Sequence, residues 1–111
     1  MPQIIKQPTI IEACGSPPKR IEEYIGRVNT GTESVSMARM KSPAGWSEPA
    51  QVPEFDEYTL MVRGRKQIEI NGETVTLKSG ESLLVRKGVR VQYSNPFEEE
   101  AEYWSVCIPA F

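Results

Sequence analysis

Residues 67–77 read QIEINGETVTL, two alternating runs on either side of Asn71-Gly72. A type I′ turn needs positive φ at both central residues, which asparagine and glycine tolerate best, so Gln67–Ile70 and Glu73–Leu77 are predicted to form a two-residue β-hairpin. Working outward, Phe55–Val62 is rich in aromatic and β-branched residues and stops at Arg63-Gly64. Ser34–Lys41, Ser82–Val85, Val89–Tyr93 and Ala101–Ile108 complete a set of short strands parted by turn residues. Such spacing implies an antiparallel sandwich or small barrel. The front of the chain reads differently. Ser16 can cap, Pro17 or Pro18 suits a first turn, and Ile21, Tyr24, Ile25 and Val28 fall three to four residues apart, which predicts one short helix over Ser16–Val28.

The 111 residues allow one domain, and a domain of this size hides only about 65% of its unfolded surface, so burial against a partner is expected. Thirteen Lys and Arg against fifteen Asp and Glu give a net charge of −2, which argues against binding to a phosphate backbone. Histidine is absent. That removes Ser-His-Asp chemistry, imidazole acid–base catalysis and the commonest transition-metal ligand. Cys14 and Cys107 are too few for a disulfide framework or a cysteine zinc site, and two reduced thiols are expected, with a single bridge as the alternative. The N-terminal MPQIIKQPTIIEA lacks an apolar core of signal-peptide length, and no run reaches the roughly 18 apolar residues of a membrane span. A cytoplasmic protein without membrane or nucleic-acid partners is the expectation.

The spacing of Gly45, Gln51, Pro53, Glu57 and Gly64, followed by Gly80, Arg86, Gly88, Val91 and Asn95, resembles the two motifs of a small single-domain cupin. The resemblance implies an all-β fold, a double-stranded β-helix or jelly-roll barrel, here with the short N-terminal helix. Residues 1–33 would form a strand/helix arm and residues 34–111 the barrel, within a single domain. It also implies where the family holds its metal: Gln51, Pro53, Glu57 and Val91. Proline and valine offer no side-chain donor, so no metal and no other cofactor is expected, a divalent ion at Gln51 and Glu57 being the minor alternative. The stretches FDEYTLMVRG, IEINGETVTLKSGESLLVRKG and QYSN and the terminal CIPAF are also similar to the cupin domain of ethanolamine-utilisation proteins. The fold hosts many activities, so neither likeness implies a reaction.

Strand alternation maps the interior of such a barrel. An inward Glu57 carries Thr59 and Met61 inward with it, and an inward Val91 carries Val89 and Tyr93. On the last strand Tyr103, Ser105 and Cys107 are expected inward, leaving Trp104, Val106 and Ile108 to pack against a second sheet face or a second subunit. The expected ligand-binding set is therefore Gln51, Glu57, Thr59, Met61, Val91, Tyr93 and Cys107, with Trp46 as a lid or a loop anchor. A carboxylate inside a barrel needs a cation, several donors or a proton, and Glu57 with Tyr93 is the one acid–base pair on offer. The expected function is a homodimer binding a small polar molecule. An isomerase-, lyase- or oxygenase-like enzyme and a structural accessory protein are the alternatives. The acidic residues between Glu48 and Glu57 and the basic Arg86, Lys87 and Arg90 are expected to pair across the barrel mouth or a subunit boundary, attraction of an anionic ligand by Arg90 and its neighbours being the alternative, and Glu98–Glu100 to form a solvated tip.

Overall fold

The computed structural model describes residues 2–13 and 15–111, so Cys14 and its pairing lie outside the described residues. The hairpin is where the sequence puts it. Strands β5 (Arg65–Ile70) and β6 (Glu73–Lys78) pair antiparallel, with Asn71 at φ 52° and Gly72 at φ 77°. Both strands run further toward the hairpin's open end than alternation alone suggested.

The other strands are β1 (Thr9–Ala13), β2 (Lys19–Ile25), β3 (Ser36–Ser42), β4 (Asp56–Arg63), β7 (Ser82–Val85), β8 (Val91–Ser94) and β9 (Ala101–Ile108). They form a six-stranded sheet in the order β1-β2-β3-β9-β4-β7, facing a three-stranded sheet in the order β6-β5-β8. This is the all-β jelly-roll barrel expected. Gly64 makes the step between the sheets from β4 to β5. It sits at φ 77°, and a Cβ there would meet the Glu100 carbonyl oxygen at 2.6 Å, so only glycine fits.

The helix over Ser16–Val28 does not form: Lys19–Ile25 is strand β2, paired to β1 on one side and to β3 on the other. The apolar spacing misled because two carboxylates take buried positions that pattern reading reserves for apolar residues. Glu22 is 4% exposed on the outer face, held by Arg39 and Arg20 at 2.7 and 2.9 Å. Glu23 is 1% exposed on the inner face, where one oxygen accepts the backbone N–H groups of Val28 and Asn29 at 2.9 and 2.7 Å. Neighbouring strands on both sides pair with β2, with one irregularity between Glu23 and Ile25 on the β3 side, and tertiary pairing overrides a helical pattern this short. The N-terminal strands thus belong to the same sheet as the rest of the barrel.

Candidate functional site

The inner face of the large sheet brings Glu57, Thr59 and Met61 of β4 beside Tyr103, Ser105 and Cys107 of β9, all 8% exposed or less. The inward side expected for both strands is the one observed. The small sheet contributes Val91 and Tyr93 of β8, at 0% and 2%. Glu57 is the hub of this interior. One of its oxygens accepts the Tyr93 hydroxyl at 3.0 Å and the other the Ser105 hydroxyl at 2.5 Å, with the Cys107 sulfur 3.7 Å beyond Ser105. Glu57 and Cys107 stand opposite one another in the β4–β9 register, which is why one serine reaches both groups.

A cavity of about 230 Å3 opens onto this cluster. Glu57, Tyr93 and Cys107 form its polar wall, Glu48, Gln51 and Lys19 its rim, and Met40, Phe55 and Phe111 much of its apolar lining. Gln51 is exposed at the mouth, its backbone paired with Val91 and its amide donating to Glu48 at 3.3 Å. Burial raises the Glu48 carboxyl above its ordinary range, Lys19 and Lys66 pull against that, and Glu57 adds to it. Burial and the adjacent Glu57 charge push the Tyr93 phenol far above its usual range. The same two causes push the Cys107 thiol up to about 12. Neither group is a ready nucleophile or base; both stay protonated and donate.

Sequence reasoning therefore gathers Gln51, Glu57, Tyr93 and Cys107 around one cavity. Thr59, Met61 and Val91 are in the interior but outside this cavity's lining. Trp46 is fully buried, with Lys19 4.7 Å above its ring, so it anchors its loop. At the barrel mouth the expected charge pairing is realised by Arg86 and Asp56 at 3.6 Å. Asn95 is a staple, its amide donating to the carbonyls of Ser42, Pro43 and Glu99. Two lysines were missed. Lys19 lay in the segment read as helix. Lys66 lies two residues before the inward Ile68, and extending that alternation by one step would have found it.

The interior does not fit a transition metal at the family's positions. Val91 and Pro53 are buried and carry no side-chain donor, which leaves Gln51 and Glu57 of the four positions, fewer donors than such a site needs. Among the described residues no group of three or more His, Cys, Asp or Glu is placed to hold a metal ion.

The barrel is similar in structure to a predicted oxalate decarboxylase from Thermotoga maritima, with a TM-score of 0.78 at 19% identity over 96% of this chain and 99% of that one. It is also similar to the Clostridium difficile EutQ protein, at TM-score 0.67 and 21% identity over 84% of this chain and 64% of that one. Identities this low speak for the fold alone. In sequence, 93 residues, 84% of this chain, are 50% identical to Endoribonuclease YbeY of Myxococcus xanthus (strain DK1622), and the match spans 32% of that protein's length. Residues 38–108 match the family described as Cupin domain, and with the jelly-roll barrel this places the chain in the cupin family.

Proposed function

We propose that this cupin binds a small polar molecule in the open end of its barrel, without a metal ion. The observation that carries the reading is Glu57, buried in the cavity wall with each oxygen bound by one hydroxyl and lone pairs left over for a ligand's donors. Few polar groups converging among apolar walls is the usual form of a small-molecule site. At about 230 Å3 the space falls below the ~300 Å3 at which drug-sized pockets begin, so the ligand is small. Acid–base catalysis by Glu57 and Tyr93 is disfavoured, because the tyrosine proton is already committed to Glu57. The test is thermal unfolding against a panel of small polyols, amines and carboxylates. A binder at a hundred times its Kd stabilises the fold by about 2.7 kcal/mol, and Met40→Trp, which fills the cavity, abolishes the effect. A panel in which no compound shifts the wild type defeats the proposal.

The partner we propose is a second copy, docked on the outer face of the large sheet. Tyr58, Leu60, Val62, Leu84 and Ile108 are 38–49% exposed there. They present on the order of 500 Å2 of apolar surface, near the upper limit for a monomer's largest patch. A stable interface takes about 800 Å2 from each partner, rather more than half of it apolar, which this face supplies. Light scattering at micromolar concentration should return twice the mass of the chain; a monomer there ends the dimer proposal. Placement in the cytoplasm is part of the same reading.

One observation favours a second reading, an accessory domain. The 50% identity lies within a protein about three times the length of the match, named as an endoribonuclease. With no histidine and a net charge of −2, this chain itself is a poor candidate for cutting or holding RNA. Absence of binding to single-stranded RNA at low salt is the expected result, and tight, salt-sensitive binding would reverse it.

A further inference from the structure

Lys66 is 1% exposed, in the interior of a barrel. Its ammonium lies 3.9 Å from the centroid of the Tyr93 ring and 4.0 Å from that of Tyr103. Both rings are themselves held. The Tyr93 hydroxyl donates to Glu57, and the Tyr103 hydroxyl is 2.7 Å from Ser42. An ammonium out of water is costly unless something answers its charge, and two desolvated tyrosine faces do so. The Tyr93 phenol has the cation on its face and the carboxylate on its hydroxyl, so the two charges hold opposite parts of one residue.

We propose that Lys66 is the resident cation of this barrel, carrying, across the Tyr93 ring from Glu57, the positive charge that the missing donor set cannot recruit as a metal ion. Its charge is felt at Glu48 and at Cys107, so it reaches the cavity without lining it. Lys19 and Lys66 against Glu48 and Glu57 leave the site with two charges of each sign. A neutral, hydroxyl-rich ligand suits that balance better than an ion does; this last step rests on the barrel being the binding site.

The charge assignment is tested without any ligand, so it can fail while the binding proposal stands. Denaturant midpoints are measured for Lys66→Met, Glu57→Gln and the double variant. Each single should fall below wild type, and the double should fall by less than the sum, because removing both charges leaves neither exposed to the other's absence. Additive losses overturn the assignment. Zinc titration by calorimetry gives a second measurement. The wild-type chain should hold no zinc in its barrel, where an ammonium stands and the donors are missing; one tightly bound zinc per wild-type chain overturns the assignment. Should Lys66→Met fail to fold, proton NMR of the wild type decides. Ring currents from two tyrosines should place the Lys66 ε-methylene upfield of the lysines that lie over no ring, and an ordinary shift there rules the clamp out.

Discussion

Strands β4 and β9 pair along most of their length, with a bulge between Met61 and Arg63, yet their two faces differ in chemistry. Inside they present Glu57, Thr59, Ser105 and Cys107 beside Met61, Ala101 and Tyr103; outside, with Asp56 and Glu102 toward the ends, Tyr58, Leu60, Val62, Trp104, Val106 and Ile108. A sheet with one face in water ordinarily has the reverse arrangement. An inner face that spends its positions on hydrogen-bonding groups is built around a site. An outer face that leaves aliphatic side chains half exposed is built for cover. The β2–β3 half of the same outer face carries Arg20, Glu22, Arg39 and Lys41, so the apolar half is a bounded patch.

The largest expected effect breaks the inner face. Tyr93→Phe and Ser105→Ala each remove one donor from a buried carboxylate, and each should cost about 1.5–3 kcal/mol in urea unfolding. Combining both with Glu57→Met removes the carboxylate together with its hydroxyl partners and should recover part of the combined loss, the remainder being the cost of Lys66 left without its counter-charge. Singles costing less than about 0.5 kcal/mol would mean that the hydroxyls do not hold Glu57.

Next comes the outer face. Leu60 is 49% exposed and pairs with Trp104 in the middle of the patch. Leu60→Arg should leave monomer unfolding within about 0.5 kcal/mol of wild type. In the dimer it places like charges near a two-fold axis and should weaken self-association by roughly thirtyfold, about 2 kcal/mol, by sedimentation. Unchanged association would move the interface elsewhere.

The charged half gives a smaller, pH-dependent effect. Burial works to raise the Glu22 carboxyl, but hydrogen bonds from Arg39 and Arg20 and the charges of Arg39 and Lys41 outweigh it, so the net shift is downward. A depressed folded-state value means that stability from Glu22 is present above the unfolded value of about 4.3 and is lost as pH falls through the folded one. Glu22→Gln should therefore be less stable than wild type at neutral pH and should flatten the decline below about pH 4.3. A parallel decline in both proteins would remove Glu22 from the acid transition.

These faces were legible to different degrees, for physical reasons. Period-two alternation reports which side chains share a face: the motif resemblance set Glu57 and Val91 inward, alternation carried Tyr93 with Val91, and Ser105 and Cys107 followed from leaving the larger apolar set of the last strand outside. The hairpin followed from the φ demands of Asn71-Gly72. Alternation is silent when a buried polar residue finds its partner on a distant strand. Glu22 meets Arg39 across seventeen residues, and Glu23 meets a loop that the sequence marks only as a turn, so β2 looked helical. Lys66 was passed over for a related cause: a lysine is presumed solvated unless the two rings that answer its charge are already in view.

The smallest expected effect sharpens the comparison most narrowly. Val62 is 45% exposed on the outer face of β4, and Val62→Thr keeps its branched shape and strand preference while replacing a methyl by a hydroxyl. In a monomer that hydroxyl stays in water, so unfolding at low concentration should shift by no more than a few tenths of a kcal/mol. Buried in a dimer, the same hydroxyl loses its water and meets an apolar surface, so association should weaken severalfold. Measuring one variant at two protein concentrations separates the cases. A difference that appears only at the higher concentration assigns the outer face to a second subunit, and equal behaviour at both leaves Val62 facing solvent.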